Sequence, residues 1–411
     1  MFNLPVKLYR LLPVFVLCAL SIGVAPSSAQ DAQPPIVSVQ WNPDGQKYAV
    51  LDALGLLQVF RTSDSALEFS SSTPTHLLPR ASLAWNLSGT HLAAGIGYQV
   101  LIWDAATWSL SSQFISGEAD AEVVIPNDQM RYPESVISLN WSRAGGHLVA
   151  GSQGFVTSVW DFAQSTLIFQ RVDVSGGGPG RVWLGDGDGW MSDGVNRLNA
   201  FTGEDVTVRR SELQNPPDNG AGVYAAEPNP QAWTTGWATV FGSISVVDLR
   251  TMEGVASIQV TGRTPDNYAV GLVDLSWDAS GQYVGTIDND GNVFIVNVTS
   301  QAVSLVRQFP ADLYAIDWDP SSNELLIAGI DNQGTPLLTT LDASGFAGVP
   351  NSPTVTPTPT DAPTTTSTPT ETITNIPTFT PTPFVTCTAS ANGGSPDTIC
   401  LAVLKSTSAA P

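Results

Sequence analysis

A phrase built around tryptophan recurs at near-constant spacing through most of this chain, and that period restricts it to architectures that grow by adding units. The phrase is an alternating apolar run, a Trp, a turn with Gly or Ser/Asn, and an apolar position seven residues after the Trp. It reads VSVQWNPDGQKY at 37–48, SLAWNLSGTHL at 82–92, SLNWSRAGGHL at 138–148, RVWLGDGDGW at 181–190, DLSWDASGQYV at 274–284 and AIDWDPSSNELL at 315–326. The marking residues are Trp41, Trp85, Trp141, Trp183, Trp277 and Trp318. A degenerate copy, VYAAEPNPQAW at 223–233, completes a set of seven if Ala226 stands in the Trp position. Most steps between copies are 41 to 44 residues; the steps after the second and the fifth copy are longer, which marks insertions there.

Each copy continues with a small, apolar strand such as HLAAGI or HLVAGS, a Gly-bearing turn, and a third alternating strand. A fourth, more polar segment follows. Alternation punctuated by Gly, Asp and Asn is the signature of strands and hairpins, and no window shows a helical period. Two third strands end in Trp103-Asp104 and Trp160-Asp161, and the turns read WNPDG and DNDGN. On these residues the stretch 36–349 resembles the WD-repeat family. The Gly-His pair that usually opens such a repeat is absent; only His76 lies near its place. The resemblance implies an all-β fold: a seven-bladed β-propeller of four-stranded antiparallel blades, followed by a disordered Thr/Pro-rich tail. The physics agrees. A single four-stranded sheet cannot shield both faces, so blades must cover one another around a ring. Each repeated Trp is expected between adjacent blades. Ring closure is open, because Pro34-Pro35 precede the first strand; the last blade is expected to close on itself through 346–349.

The ends differ from this middle. Lys7 and Arg10 precede an apolar stretch at 11–25, then Ser27-Ser28-Ala29, as in an export signal cleaved before Gln30. At about 15 residues the stretch is short of the roughly 20 that span a bilayer; an uncleaved anchor is the alternative. Residues 350–383 are nearly all Thr, Pro and Ser, too poor in apolar residues to offset ordering entropy, and read as an extended linker. Residues 384–411 hold Cys387 and Cys400, expected to pair in an exported protein. The chain is thus divided as 1–29, 30–349, 350–383 and 384–411, and its location is expected to be secreted or envelope-associated. A stalk and leader of this kind resemble bacterial exported proteins. The net charge of −21 argues against nucleic acid and anionic lipid as partners.

A search for chemistry finds little. There are three His; His91 and His147 occupy equivalent repeat positions, and no two have metal-ligand spacing on one element. No nucleophile elbow or phosphate-binding glycine pattern occurs. The acidic turns 186–189 and 288–291 lack the trailing Glu of a calcium loop and fall where hairpins want Asp and Gly for backbone reasons. No cofactor, metal or catalytic residue is assigned. The expected site is instead the insertion SQFISGEADAEVVIPNDQMRYPES at 112–135, with Glu118, Asp120, Glu122, Asp128, Met130 and Tyr132 as contact residues. Arg263 and Tyr268 of the second insertion are expected on the same rim. Long loops on a rigid scaffold commonly carry binding. The functional expectation is a non-catalytic scaffold for a protein or peptide partner. The alternatives are a propeller enzyme (a glycosidase or an oxidoreductase), which carboxylates with raised pKa converging on the channel would favour, and a lectin using Trp108, Trp190 or Trp237.

Overall fold

A computed structural model describes residues 33–73, 75, 81–116, 122–124, 131–133, 135–142, 145–152, 156–172, 182–185, 190–192, 197–199, 201–204, 223–262 and 271–350. The chain divides into two units, 1–360 and 361–411, and every described residue belongs to the first. His76, the export signal, the Thr/Pro stretch, Cys387 and Cys400 lie outside the described residues.

The described chain is all β. The first sheet is β1 (Ile36–Trp41), β2 (Lys47–Asp52), β3 (Leu56–Arg61) and β4 (Leu67–Ser72); the second is β5 (Ser82–Trp85), β6 (His91–Ile96), β7 (Gln99–Asp104) and β8 (Leu110–Ile115). A two-stranded ribbon, β9 (Glu122–Val124) and β10 (Arg131–Pro133), precedes the third sheet, β11 (Val136–Trp141), β12 (His147–Ser152), β13 (Val156–Asp161) and β14 (Thr166–Val172). A short sheet holds β15 (Val182–Gly185), β16 (Trp190–Ser192) and β17 (Arg197–Asn199). Two further four-stranded sheets are β18 (Val223–Pro228), β19 (Thr234–Thr239), β20 (Ser243–Asp248) and β21 (Gly254–Gln259), then β22 (Leu272–Trp277), β23 (Tyr283–Asp288), β24 (Asn292–Asn297) and β25 (Ala302–Gln308). The last sheet has three strands, β26 (Ala311–Trp318), β27 (Glu324–Asp331) and β28 (Pro336–Asp342). Strands follow one another antiparallel in sequence order, as radial blades require.

The expectation of seven equal four-stranded blades is corrected by these sheets. Six blades are developed, five with four strands and the last with three. Between the third blade and the one beginning at Val223 lies only the short sheet, with strands of three or four residues and, among the described residues, no fourth strand. The sequence there runs through DGDG at 186–189, where glycines replace the apolar alternation a long strand needs. Residues 346–349 do not make the expected fourth strand of the last blade either. Phe346 and Ala347 pack beneath the last two blades, and Val349 is buried with them.

The degenerate copy is also placed differently. In every developed blade the Trp pairs across the first hairpin with the residue seven positions on, as Trp41↔Tyr48, Trp141↔Leu148 and Trp277↔Val284. In the fifth copy the same rung is Pro228↔Thr235, so Pro228, not Ala226, holds the Trp position. The legible signal was the Asn-Pro pair that follows, Asn229-Pro230, matching Asn42-Pro43.

Packing between blades runs through the indoles. Trp41, Trp85, Trp141, Trp277 and Trp318 are all buried, and each packs on the blade before it. Trp85 lies against Leu51 and Val59 of the first blade; Trp41 lies against Ala315, Leu326 and Ala328 of the last, which closes the ring. Trp183 is on β15; its side chain is not described.

In the developed blades the residue after the Trp position caps the tight turn that follows, and Asn42 and Asn229 also reach the next blade. Asn86 accepts the N–H groups of Thr90 and His91, both at 2.9 Å. Asn229 caps its own turn and donates from Nδ2 to the carbonyl of Gly281 in the next blade, at 2.8 Å. Gly281 has φ +67°, and a Cβ there would lie 2.2 Å from Asn229 Oδ1. Left-handed backbone costs an L residue about 1–2 kcal/mol, and the contact adds to it. Gly281→Ala is expected to lower stability by about 2–3 kcal/mol in denaturant melts, whereas Gly146→Ala, with nothing within 4 Å, is expected to be close to neutral.

Candidate functional site

The inner strands line an axial cavity of about 160 Å³. Counting back from the Trp position, the side chains one and three residues earlier serve the neighbouring strands. One residue before the Trp stand Gln40, Ala84, Asn140, Glu227, Ser276 and Asp317; three before stand Ser38, Ser82, Ser138, Ala225, Asp274 and Ala315. Six of them carry oxygens that accept backbone N–H groups from the next inner strand. Gln40 Oε1 takes Trp85 N–H (2.7 Å), Ser82 Oγ takes Leu139 N–H (3.0 Å), Asp274 Oδ2 takes Ile316 N–H (3.1 Å) and Ser276 Oγ takes Trp318 N–H (3.0 Å). Glu227 Oε2 takes Trp277 N–H (3.2 Å), and Asp317 Oδ2 takes Trp41 N–H (2.5 Å), joining the last blade to the first. Trp141 and Trp277 add indole Nε1–H donation to the carbonyls of Ala84 (2.9 Å) and Glu227 (3.0 Å). Inner strands sit too far apart to pair directly, so side chains bridge them. At the seam before β18 both partners are missing: Val182 has no acceptor and Pro228 has no N–H.

Three bridging groups are carboxylates on neighbouring blades. Burial pushes Asp317 up to about 7, aided by the charge of Asp274 and opposed by hydrogen bonds from Trp41, Ser276 and Trp318. Glu227 is raised well above the usual carboxylate range, chiefly by burial and then by the charges of Asp317 and Asp274. Ser276 Oγ donates to Asp317 Oδ1 at 2.9 Å. Tyr224 and Tyr314 also line the cavity; burial and Asp312 raise the Tyr314 phenol. Sequence reasoning missed this cluster, because the carboxylates come from three repeats and one lay in the misread copy. Their shared offset from the Trp position was the signal available.

Of the residues expected to bind a partner, only Glu122 and Tyr132 fall on described backbone. They lie on the β9–β10 ribbon, in the rungs Glu122↔Pro133 and Val123↔Tyr132, and their side chains are not described. Glu118, Asp120, Asp128, Met130, Arg263 and Tyr268 lie outside the described residues. Residues 112–115 belong to the outer strand β8, so the insertion narrows to 117–134. Its ends are held side by side: Ser116 N–H donates to Tyr98 O (2.8 Å) and Val136 N–H to Gly97 O (2.7 Å). Both insertions follow a fourth strand and precede the next inner strand, so the antiparallel order puts their described flanking residues on one face of the ring.

Other candidates resolve into structure. Asp288 accepts the N–H groups of Asp290 and Asn292, each at 2.9 Å, as a turn cap; the turn 186–189 lies outside the described residues. Among the described residues no three His, Cys, Asp or Glu gather in a form that could hold a metal ion. Of the tryptophans expected for a lectin, Trp237 is buried and Trp108 stacks on Phe69 at 4.7 Å, so neither offers an open indole; the Trp190 side chain is not described. His91 and His147 meet Phe162 and Phe201 edge-on.

No family model matches the chain. It is 25% identical over 296 residues to THO complex subunit 3 of Arabidopsis thaliana, a match covering 61% of this chain and 86% of that protein. The crystal structure of the C-terminal WD40 domain of Sif2 aligns with a TM-score of 0.48 at 14% identity, covering 72% of this chain and 93% of that domain. With its blade order and its Trp-marked repeats, the chain is a β-propeller whose repeats resemble those of the WD-repeat family.

Proposed function

We propose that the chain is an exported, non-catalytic interaction scaffold whose partner, a protein or peptide, docks on the face that carries the connections 117–134 and 263–270. The observation that supports this reading most is that the described residues flanking both insertions lie on one face of a ring in which most blade seams are bridged by side chains. A rigid frame with length-variable loops on one side suits recognition. The sequence relative is named as a subunit of a complex, in keeping with such a role. The short sheet, whose inner strand β15 lies between β11 and β18, is taken as the rudiment of a seventh blade. The signal at 1–29 and the Thr/Pro stretch would carry the propeller out of the cytoplasm and hold it at the envelope; Cys387 and Cys400 would close a loop in the tail.

Replacing 117–134 by a short Gly/Ser linker is the direct test. Because Ser116 and Val136 are anchored to adjacent carbonyls, a short linker can bridge them without disturbing β8 or β11. Partner capture from a native envelope extract is expected to disappear while the thermal midpoint shifts by less than about 2 °C, as for other substitutions away from packed features. Undiminished capture would overturn this assignment.

A second reading rests on the raised carboxyls of Glu227 and Asp317. A protonated acid beside an ionised one is what glycoside hydrolysis uses. It is less favoured, because Glu227, Asp274 and Asp317 each already accept a backbone N–H that holds a blade seam.

A further inference from the structure

Three Asn-X-Ser/Thr triplets, the acceptor signal for N-linked glycosylation, occur in the chain: Asn86-Leu87-Ser88, Asn140-Trp141-Ser142 and Asn297-Val298-Thr299. In a protein exported through a glycosylating compartment such a triplet belongs on an open surface, because the transferred oligosaccharide is bulky and hydrated. None of the three Asn side chains is so placed. Asn86 is 6% exposed. Its Oδ1 accepts the N–H groups of Thr90 and His91, while its Nδ2 donates to Thr90 Oγ1 (3.0 Å) and lies 3.4 Å from His91 Nδ1. A Cβ built on Gly145 of the next blade would lie 3.6 Å from the same nitrogen. Asn140 is on the inner strand β11 and lines the axial cavity with Gln40, Glu227 and Asp317. Asn297 ends β24; its Oδ1 accepts Ser300 N–H (2.9 Å) and its Nδ2 donates to Ala347 O (3.4 Å).

Glycosylation forms a bond between Nδ2 and C1 of the first sugar, breaks the bond from that sugar to its lipid diphosphate carrier, and releases one amide proton. It acts on the chain before folding, so burial in the finished propeller gives no protection. At Asn86 the sugar would have to enter a closed turn and part it from the next blade. At Asn140 it would meet the side chains that bridge the inner strands. The triplet at Asn86 is a by-product of turn capping. The position after the Trp needs a short side chain with an acceptor, and holds Asn42, Asn86, Ser142, Asn229, Asp278 and Asp319. After Asn42 and Asn229 comes Pro, which the signal excludes; after Asn86 comes Leu. A chain folding where the signal is read would carry an obstacle in its own second blade. We propose that this chain matures where Asn-X-Ser/Thr is not read, and so leaves the cytoplasm by a bacterial-type route rather than through a glycosylating secretory pathway. This rests on the export reading above and narrows it to one kind of compartment.

The test secretes the full chain from a glycosylating eukaryotic host, with residues 1–29 exchanged for a leader of that host, beside a variant carrying Ser88→Asp, Ser142→Asn and Thr299→Ala. The replacements respect the fold. Asp44 stands at the place of Ser88 in the first repeat, Asn42 and Asn86 stand at the place of Ser142, and Thr299 is exposed. Folded protein in the medium is expected to be at least tenfold more abundant for the variant. The retained parent is expected to carry sugar on Asn86 or Asn140, read by mass spectrometry. In a bacterial periplasm the two chains should appear in equal yield, with thermal midpoints within about 2 °C of each other. Equal yields from the eukaryotic host would overturn the proposal, whether both are high or both are low. So would folded parent in the medium bearing a sugar on Asn86 or Asn140. An equal advantage of the variant in the periplasm would do so as well, by showing that the gain does not depend on the sugar. Export itself is read separately, by fractionating a bacterial host that carries the unaltered chain. Confinement to the cytoplasm there would sink the export reading and leave the yield ratio standing.

Discussion

Trp277→Ala is expected to destabilise the propeller by about 3–5 kcal/mol, as large-to-small changes at buried aromatic sites do. The indole is 4% exposed and packs against Ala238, Ile244 and Val246 of the preceding blade. Its Nε1–H donates to the carbonyl of Glu227, so truncation removes both a packing surface and a bridge across the seam. Trp318→Phe should cost less, because the Trp318 indole nitrogen has no hydrogen-bond partner to lose. Urea unfolding of the two variants beside the parent checks this. A loss below about 1 kcal/mol for Trp277→Ala would mean that blade contacts do not run through the tryptophans.

The second large effect is a dependence on pH of unusual sign. Most proteins gain stability as their carboxylates ionise. Here Asp317 and Glu227 are raised in the folded state, Asp317 to about 7, so folding favours their protonated forms. Their contribution is fully present below the ordinary carboxylate pKa of about 4 and is lost as pH rises toward and through 7. No Lys, Arg or His lines the cavity among the described residues, so nothing cationic there offsets the three acids. The thermal midpoint is expected to fall between pH 5 and pH 8, by the equivalent of a few kcal/mol. Asp317→Asn retains a carbonyl that can accept Trp41 N–H and removes the titration. It should match the parent near pH 5 and exceed it at pH 8. Asp317→Ala should be less stable near pH 5, by about 1–3 kcal/mol, because Trp41 N–H is left without an acceptor, and the deficit should shrink by pH 8, where the parent carries the ionised acid. A midpoint for the parent that rises from pH 5 to 8, or an Asn variant with the parent's profile, would show that the carboxylates are already ionised in the fold.

These carboxylates also show where reading the chain stopped. Alternation within each strand, Gly at the hairpins and the spacing of the tryptophans are local properties, and they made the strands and the repeat legible. Register across a hairpin is not local when one copy is degenerate. Ala226 was read as the Trp position because an apolar residue was sought there; the ladder places Pro228 there, and Glu227 thereby joins Asp317 and Asp274 at the axis. The count of complete blades failed for a related reason. A phrase at 181–190 has the right offsets, but its glycines support only strands of three or four residues.

By itself the sequence determined that the described chain is all β, that its units must cover one another, and that the five repeat tryptophans of described placement lie where two units meet, because these follow from periodicity and from the inability of one sheet to bury two faces. Only the tertiary structure decided which side chains bridge the inner strands, that three of them are acids sharing one cavity, and that the last blade has three strands among the described residues. Those features depend on which repeats become neighbours in space and on where the chain turns after its last strand, and neither is written within any one repeat.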